Sequence, residues 1–482
     1  MSVLKGYQPE NVLHWFERLC AIPHGSFHTG QISAFLADFA RERSLPYVRD
    51  GADNVVIFAP GTPGYEQSAP VILQGHMDMV CEKEPGCDID FLTDGLRLRV
   101  EDGYLTAEGT TLGGDDGIAV AYALALLDSS DIPHPPLEVV ITADEEVGML
   151  GAAALDCSVL QGRTMVNLDS EEEGFLLVSC AGGLTADCCL PLARESASGL
   201  AVTLSVEGLT GGHSGAEIHK GRASAVVLLG RLLWALEKAL PFRLVALSGG
   251  GKDNAIPRSA GAEILIDPAQ LGALEDFAAG WQGVFAHEYA ATDPALQVSV
   301  SGKGQGVFQV LTPLSHRNAV AALVQMPFGV QRMSQDMEGL VQTSLNLGIL
   351  SSSETELHAV FSVRSSVQSE KEALYARLEN LMELLGGSVT ATGDYPPWEY
   401  RKDSPLRELM TQVFREQYGR EPEVMAIHAG LECGLFSGRL PELDCVSIGP
   451  DMDDIHTTKE RLSLASVERT WRYLCEVLKR LK

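Results

Sequence analysis

The sequence predicts an α/β protein of two domains, one of them discontinuous. Three observations lead there. Near both ends of the chain, short and continuously apolar runs alternate with helical stretches, as strands of a parallel sheet covered on both faces do. The middle of the chain carries runs that alternate apolar and polar residues, the pattern of strands with one wet face. A turn-rich segment, Gly393-Asp394-Tyr395-Pro396-Pro397, then precedes the return of the first pattern. Residues 1–186 and 394–482 are therefore expected to form one domain with a mostly parallel sheet, and residues 187–393 an inserted α+β domain.

In chain order, Leu13, Phe16 and Leu19 share one face of a first helix, and Ile32, Leu36, Phe39 and Ala40 one face of a second. Ile22-Pro23-His24-Gly25-Ser26 joins them as a loop. Val55–Ala59, Pro70–Gln74, Leu137–Thr142 and Thr164–Leu168 have the usual length of strands, about five or six residues. Gly117–Leu127, rich in Ala and Leu, reads as a buried helix. In the middle, Leu200–Glu207 and Thr355–Val363 alternate, and Leu357, Ala359, Phe361 and Val363 would share a buried face. Helical periodicity runs through Ala223–Leu240 and Glu370–Leu385. Past the linker come a helix at Leu406–Tyr418, a buried strand at Cys445–Ile448 and a helix at Leu464–Leu481.

The 482 residues carry 36 Lys and Arg against 65 Asp and Glu, a formal net charge of −29. That balance argues against nucleic acid or an anionic membrane surface as partner. With 45% hydrophobic residues the chain can bury a sizeable core. No apolar run approaches the roughly 18 residues of a spanning helix, and Met1–Gly6 lacks the apolar core of a signal peptide. Ten cysteines without a C-x-x-C pair suit a cytoplasmic protein with reduced thiols better than a disulfide scaffold or a zinc ribbon.

Metal-type ligands stand at the ends of these elements. His76-Met77-Asp78 follows the strand ending at Gln74, and Asp115-Asp116 precedes the helix from Gly117. Asp144-Glu145-Glu146 follows Leu137–Thr142, Asp169 follows Thr164–Leu168, and His456 follows Cys445–Ile448 across a short loop. In an open α/β sheet the carboxyl ends of neighbouring strands converge on one crevice. Two imidazoles and several carboxylates there suit two divalent metals, zinc above all, with manganese or cobalt also admitted. So many acids in one crevice repel one another unless cations hold them. Each residue also has a plainer reading. His76 serves equally as a hydrogen-bonded strand-end residue, Asp115 as a helix N-cap, Glu145-Glu146 as a solvated turn, and Asp169 as the head of a surface acidic run. The plainer readings leave unexplained why all of them fall at element ends in one order.

In wording as well as placement these segments resemble the co-catalytic zinc metallopeptidases. The resemblance is carried by Gln74-Gly75-His76-Met77-Asp78-Met79-Val80, Thr110-Thr111-Leu112-Gly113-Gly114-Asp115-Asp116-Gly117-Ile118 and Asn167-Leu168-Asp169-Ser170-Glu171-Glu172. It extends to Gly211-Gly212-His213-Ser214-Gly215, Asn254-Ala255-Ile256-Pro257-Arg258 and Ile427-His428-Ala429-Gly430-Leu431-Glu432-Cys433-Gly434. Within that family the combination is similar to the bacterial non-specific, or aminoacyl-histidine, dipeptidases from about residue 5 to residue 480.

The resemblance implies a zinc-exopeptidase-like catalytic domain with an inserted lid and dimerisation domain. It implies that His76 and Asp169 bind one metal, Glu146 and His456 the other, and Asp115 both. Asp78 would fix the tautomer of His76, and Glu145 would be the general base toward a water activated by two ions. Adjacent side chains on an extended segment face opposite ways, so Glu145 and Glu146 could divide these tasks. The Asp115–Asp116 peptide bond would be cis. His213, in a glycine-flanked turn, would stabilise the oxyanion; in dimeric relatives it comes from the partner subunit, which implies a homodimer through the inserted domain. Arg364 resembles the anchor for the substrate carboxylate, which a guanidinium meets bidentately. Gly430 would add backbone donors to that carboxylate, and Asn254 would contact the substrate. Read alone, Gly211–Gly215 is a flexible turn and Arg364 a surface residue at a strand end. The chain departs from the family at Asp116, where Asn is usual, and at Gly114, where Ala is common.

The reaction so implied is hydrolysis of unblocked dipeptides, with β-alanyl-histidine among them. An N-acyl amino acid deacylase or an aminopeptidase shares the same scaffold and water chemistry. A non-catalytic metal-binding scaffold protein would lack the base, and Glu145 is present. A phosphoryl-transfer enzyme would want a phosphate cradle; Gly249-Gly250-Gly251-Lys252 lacks the spacing of one.

Overall fold

The computed structural model describes residues 3–482; Met1 and Ser2, the start of the segment expected to lack a signal core, lie outside the described residues. The chain divides into two compact units. The first comprises the chain up to Cys180 with Trp398–Ala426 and Leu431–Lys482; the second comprises Ala181–Pro397 and Ile427–Gly430. The expected cuts after residues 186 and 393 would fall inside the strands Gly182–Pro191 and Ser388–Tyr395. Both strands pair within the second unit, so the crossings lie outside them. Periodicity gave no sign of the return at Ile427–Gly430.

The first unit is built on an eight-stranded sheet in the order Tyr47–Arg49, Val55–Ala59, Leu137–Thr142, Val71–His76, Thr164–Asn167, Asp444–Ser447, Phe175–Cys180 and Glu423–Ile427. Its four central strands run parallel, and those flanking them pair antiparallel. The parallel character is thus confined to the centre, where Val71–His76 and Leu137–Thr142 are buried at every position. That is why these strands read as unbroken apolar runs. The helix Gly114–Leu127 is buried on all sides through Leu126, against the outer helix Glu10–Cys20 and the strand Val71–His76. Its start differs from expectation: Asp115 and Asp116 belong to the segment but have non-helical backbone angles, and the bond between them is cis, as the resemblance implied. A small second sheet pairs Met452–Asp453 with Arg461–Ser463 as a hairpin. His456 sits in the loop of that hairpin.

The second unit is a nine-stranded antiparallel sheet with helices on one face. Leu357, Ala359, Phe361 and Val363 are all buried, as the alternation predicts. They join Leu184, Ala186, Cys188 and Leu190 of the neighbouring strand under the helices Ala225–Ala239 and Gln368–Leu385. The helices Leu271–Glu288 and Pro313–Gln325 and the long strands Gln297–Leu311 and Val341–Ser352 escaped the sequence reading. Among the described residues, no helix is long and apolar enough to cross a membrane.

Candidate metal centre

His76 is the last residue of its strand and is 1% exposed. Glycine precedes it for a reason: a β-carbon at Gly75 would run into the Asp116 carboxylate and Ala119. The Nδ1 atom of His76 lies 3.0 Å from the Asp78 backbone oxygen and 3.4 Å from its carboxylate. This leaves Nε2 to face 3.1 Å toward Asp115 Oδ1 and 3.6 Å toward Asp169 Oδ1. Asp115 turns its other oxygen to His456, with Oδ2 and Nε2 3.1 Å apart. His456 Nε2 is also 2.9 Å from Glu146 Oε1. One carboxylate therefore stands between two imidazoles, each with a further carboxylate beside it. His456 reaches in from its loop with a left-handed φ of 59°, uncommon for a residue with a side chain.

The Asp78 carboxylate does more than the sequence suggested. It accepts from the backbone N–H of Glu145 at 3.0 Å, from that of Glu146 at 3.4 Å and from the Ser26 hydroxyl at 2.8 Å. It thus ties the His76 strand to the acidic pair. That pair does not lie on an extended segment, as the argument from alternation assumed. It leads into a turn in which the N–H groups of Gly148 and Met149 return to the Glu145 oxygen at 2.9 and 2.7 Å.

Charge in this crevice is poorly balanced by the protein itself. Burial pushes the Asp169 carboxyl up to about 6 despite His76, with Asp115 and Glu146 adding to the rise. Burial likewise holds Glu145 well above the usual carboxylate range. Hydrogen bonds to Asp115 and Glu146 push His456 up to about 10. Burial opposes charge on His76, yet the carboxylates of Asp115, Asp169 and Asp78 outweigh it and hold its pKa well above the ordinary value. Both imidazoles thus place a proton where carboxylates converge, the position a cation fits. One donor atom each of His76, Asp115 and Glu146 lie within 4.8 Å of one another, as do one each of His76, Asp116 and Asp169. Imidazole nitrogen and carboxylate oxygen in this number suit divalent zinc, manganese or cobalt. Asp116 accepts from the His76 backbone N–H at 3.2 Å, and burial holds its carboxyl well above the usual range. A neutral Asp116 offers one donor and one acceptor, much as the family's usual Asn does.

Two buried acids had no role in the sequence reading. Glu460 accepts from the N–H groups of Leu112 at 2.7 Å, Gly113 at 3.2 Å and Gly114 at 2.7 Å, fixing the loop that delivers Asp115. Nothing local in Lys459-Glu460-Arg461 signals this. Glu432 is fully buried and accepts from Thr142 Oγ1 at 2.6 Å and Gln74 Nε2 at 2.5 Å. Its only signal is its place in the motif from Ile427. An apolar cavity of about 350 Å³, walled in part by Phe27, Met79, Val80, Leu92 and Val147, adjoins Glu146 and was likewise unforeseen.

The remaining residues singled out in the sequence lie in the second unit. His213 is in a two-residue strand paired with Ala255–Ile256. Its Nδ1 accepts from the N–H groups of Gly215 at 3.2 Å and Ala216 at 3.1 Å, which puts the proton of the neutral ring on Nε2. Burial, and then Arg364, lower its pKa. Asn254 adjoins this turn through its carbonyl, which accepts from Ser214 N at 2.9 Å. Arg364 lies within the strand Glu356–Ser365, not past its end, and donates to the Tyr395 hydroxyl at 3.3 Å. Gly430 packs where a β-carbon would meet the Tyr395 ring at 2.8 Å. His428, two residues earlier, has Nε2 2.7 Å from Ser344 Oγ, and burial lowers its pKa to about 3 with Arg364 contributing.

Comparison with known proteins places the chain in a family. Residues 72–480 match the profile of peptidase family M20/M25/M40. The whole chain is 36% identical to the cytosol non-specific dipeptidase of Escherichia coli (strain K12), covering 99% of that protein. The crystal structure of the aminoacylhistidine dipeptidase of Vibrio alginolyticus superposes with a TM-score of 0.93 at 34% identity, over 99% of this chain and 97% of that one. The aminopeptidase PepT of Bacillus cereus, 15% identical with a TM-score of 0.57 over 98% of this chain and 99% of that one, shares the fold.

Proposed function

The chain belongs to peptidase family M20/M25/M40, and from that premise we propose that it is a di-metal hydrolase of unblocked dipeptides, broad in specificity and active on Xaa-His substrates such as β-alanyl-histidine. The observation that carries the reading is the Asp115 carboxylate, set 3.1 Å from His76 on one side and 3.1 Å from His456 on the other. Asp169 beside His76 and Glu146 beside His456 complete two donor sets around it. Two ions bound there, most readily Zn²⁺ with Mn²⁺ or Co²⁺ as alternatives, supply a water acidic near neutral pH and a polarised scissile carbonyl.

Glu145 takes the proton of the attacking water and passes it to the leaving amine. Burial disfavours its charged form, which a cation held by the neighbouring carboxylates would favour. Asp78 keeps this base in register with His76 by holding the Glu145 N–H. His213, neutral and protonated on Nε2, donates to the developing oxyanion. Arg364 pairs with the substrate carboxylate, and its hydrogen bond to Tyr395 limits its rotation. Gly430 leaves its backbone open to the same carboxylate, and Asn254 contacts the substrate beside His213. Within the first unit, the apolar cavity beside Glu146 takes the amino-terminal side chain. The same reading takes the enzyme as a cytoplasmic homodimer joined through the second unit, with the oxyanion donor of each site being the partner subunit's His213.

The test is hydrolysis of unblocked dipeptides, β-alanyl-histidine included, by metal-stripped protein before and after Zn²⁺ or Mn²⁺ is restored. Turnover that needs metal and disappears in Glu145→Ala, while that variant still binds the ions, is expected. Metal binding without dipeptide turnover, alongside hydrolysis of N-acyl amino acids, would move the reading to a deacylase. Mixing His213→Ala with Glu145→Ala protein addresses the dimer: a hybrid regains one complete site if His213 acts across subunits. No recovery under proven subunit exchange rejects that arrangement.

A further inference from the structure

We propose that the second unit carries a third divalent-metal site, of zinc type, formed by Cys189, Glu356 and His358 on the sheet face turned away from its helices. The alternation that buries Ala186, Cys188 and Leu190 on one strand and Leu357 and Ala359 on the next leaves Asp187, Cys189, Glu356 and His358 on the opposite face. The register sets His358 directly across from Cys189, a spacing of about 4.5–5.5 Å between β-carbons. One donor atom each of Cys189, Glu356 and His358 lie within 4.8 Å of one another. The imidazole is already oriented for the purpose. Its Nδ1 lies 3.0 and 3.1 Å from the two Asp187 oxygens, and its Nε2 lies 3.4 Å from Glu356 Oε2. A carboxylate that holds one ring nitrogen while the other faces a donor group is the usual support of a metal-binding histidine.

The site is accessible, with the His358 side chain 34% and that of Glu356 52% exposed. Sulfur, imidazole nitrogen and carboxylate oxygen together favour Zn²⁺ or Co²⁺ over Mg²⁺, Ca²⁺ or Mn²⁺. Three protein ligands leave a fourth position for water. Burial and the Glu356 charge hold the Cys189 thiol above its ordinary value, so the incoming ion must displace the thiol proton to solvent. Once bound, the ion links the strands Gly182–Pro191 and Glu356–Ser365 across the sheet.

Metal-stripped protein is titrated with Zn²⁺ and with Co²⁺, alongside C189S and H358A. The wild type should take up one more equivalent of Zn²⁺ than either variant, and Co²⁺ should give a thiolate charge-transfer band that C189S lacks. Asp187→Asn should weaken the extra equivalent roughly 10–100-fold without removing it. Dipeptide hydrolysis at saturating Zn²⁺ should be the same in all four proteins. Equal Zn²⁺ uptake by the wild type and both variants, or a thiolate band that persists in C189S, would overturn the assignment. Circular dichroism of the variants separates loss of the site from loss of the fold.

Discussion

In the first unit the candidate metal ligands gather around the parallel strands and are mostly acidic, whereas in the second the side chains proposed for substrate contact are His213, Arg364 and Asn254, none of them acidic. His76 and Glu145 are fixed by strands buried on both faces and by one carboxylate, Asp78, that binds both segments. His213 sits in a glycine turn, and Arg364 lies on one face of an antiparallel sheet against Tyr395. A centre that must hold two cations at fixed separation needs rigid, anionic walls. A surface that receives a substrate carboxylate needs one cation, here Arg364, that need not be so tightly enclosed. On the proposed reading catalysis belongs to the first unit and recognition to the second, and substitutions should separate the two.

The largest effect is expected from Glu145→Gln, which keeps the shape of the first unit and removes the base proposed for it. The rate constant kcat should fall by roughly 10²–10⁴ with metal content unchanged, read by steady-state kinetics and metal analysis on one preparation. Asp78→Asn comes next. It keeps one acceptor toward the Glu145 turn and weakens support of the centre, so metal affinity should drop about 10–100-fold in a competition with a chelator. Arg364→Lys, in the second unit, should instead raise KM about tenfold with metal affinity intact, because a lysine cannot meet a carboxylate bidentately. Loss of metal in Arg364→Lys would erase the division between the units.

Two smaller effects sharpen it. His428 has a folded-state pKa of about 3, below the roughly 6.5 of an exposed histidine. The unfolded chain therefore takes up the proton first. Stability from the neutral ring is present above about pH 6.5 and lost as pH falls toward 3. His428→Gln should flatten that decline in urea midpoints measured from pH 7.5 to 4.5. Leu92→Ala, at the apolar cavity, should reduce kcat/KM for leucyl-glycine about fivefold, near 1 kcal/mol of lost burial, and leave glycyl-glycine unchanged.

The first unit was the more legible of the two. Its strand Leu137–Thr142 has the bounds its apolar run predicted, and His76, Asp115, Glu145, Glu146, Asp169 and His456 each follow or precede an element that periodicity located. The second unit was read thinly because its long strands carry short, polar or glycine-rich stretches, such as Ser299–Gly306 within Gln297–Leu311, that hide alternation. Glu460 and Glu432 were invisible in role, since a buried acid is recognised by the N–H and O–H groups it accepts from, and those come from residues hundreds of positions away.

Which residues can bind metal, and the order of elements that carries them, was legible along the chain, because apolar periodicity and ligand chemistry are local properties. That Asp115 stands between two histidines, that Asp78 grips the Glu145 turn and that Cys189 lies across from His358 emerged with the folded chain. Those facts depend on strand register and on loops closing over long separations, where the free energy resides in contacts that no single segment contains.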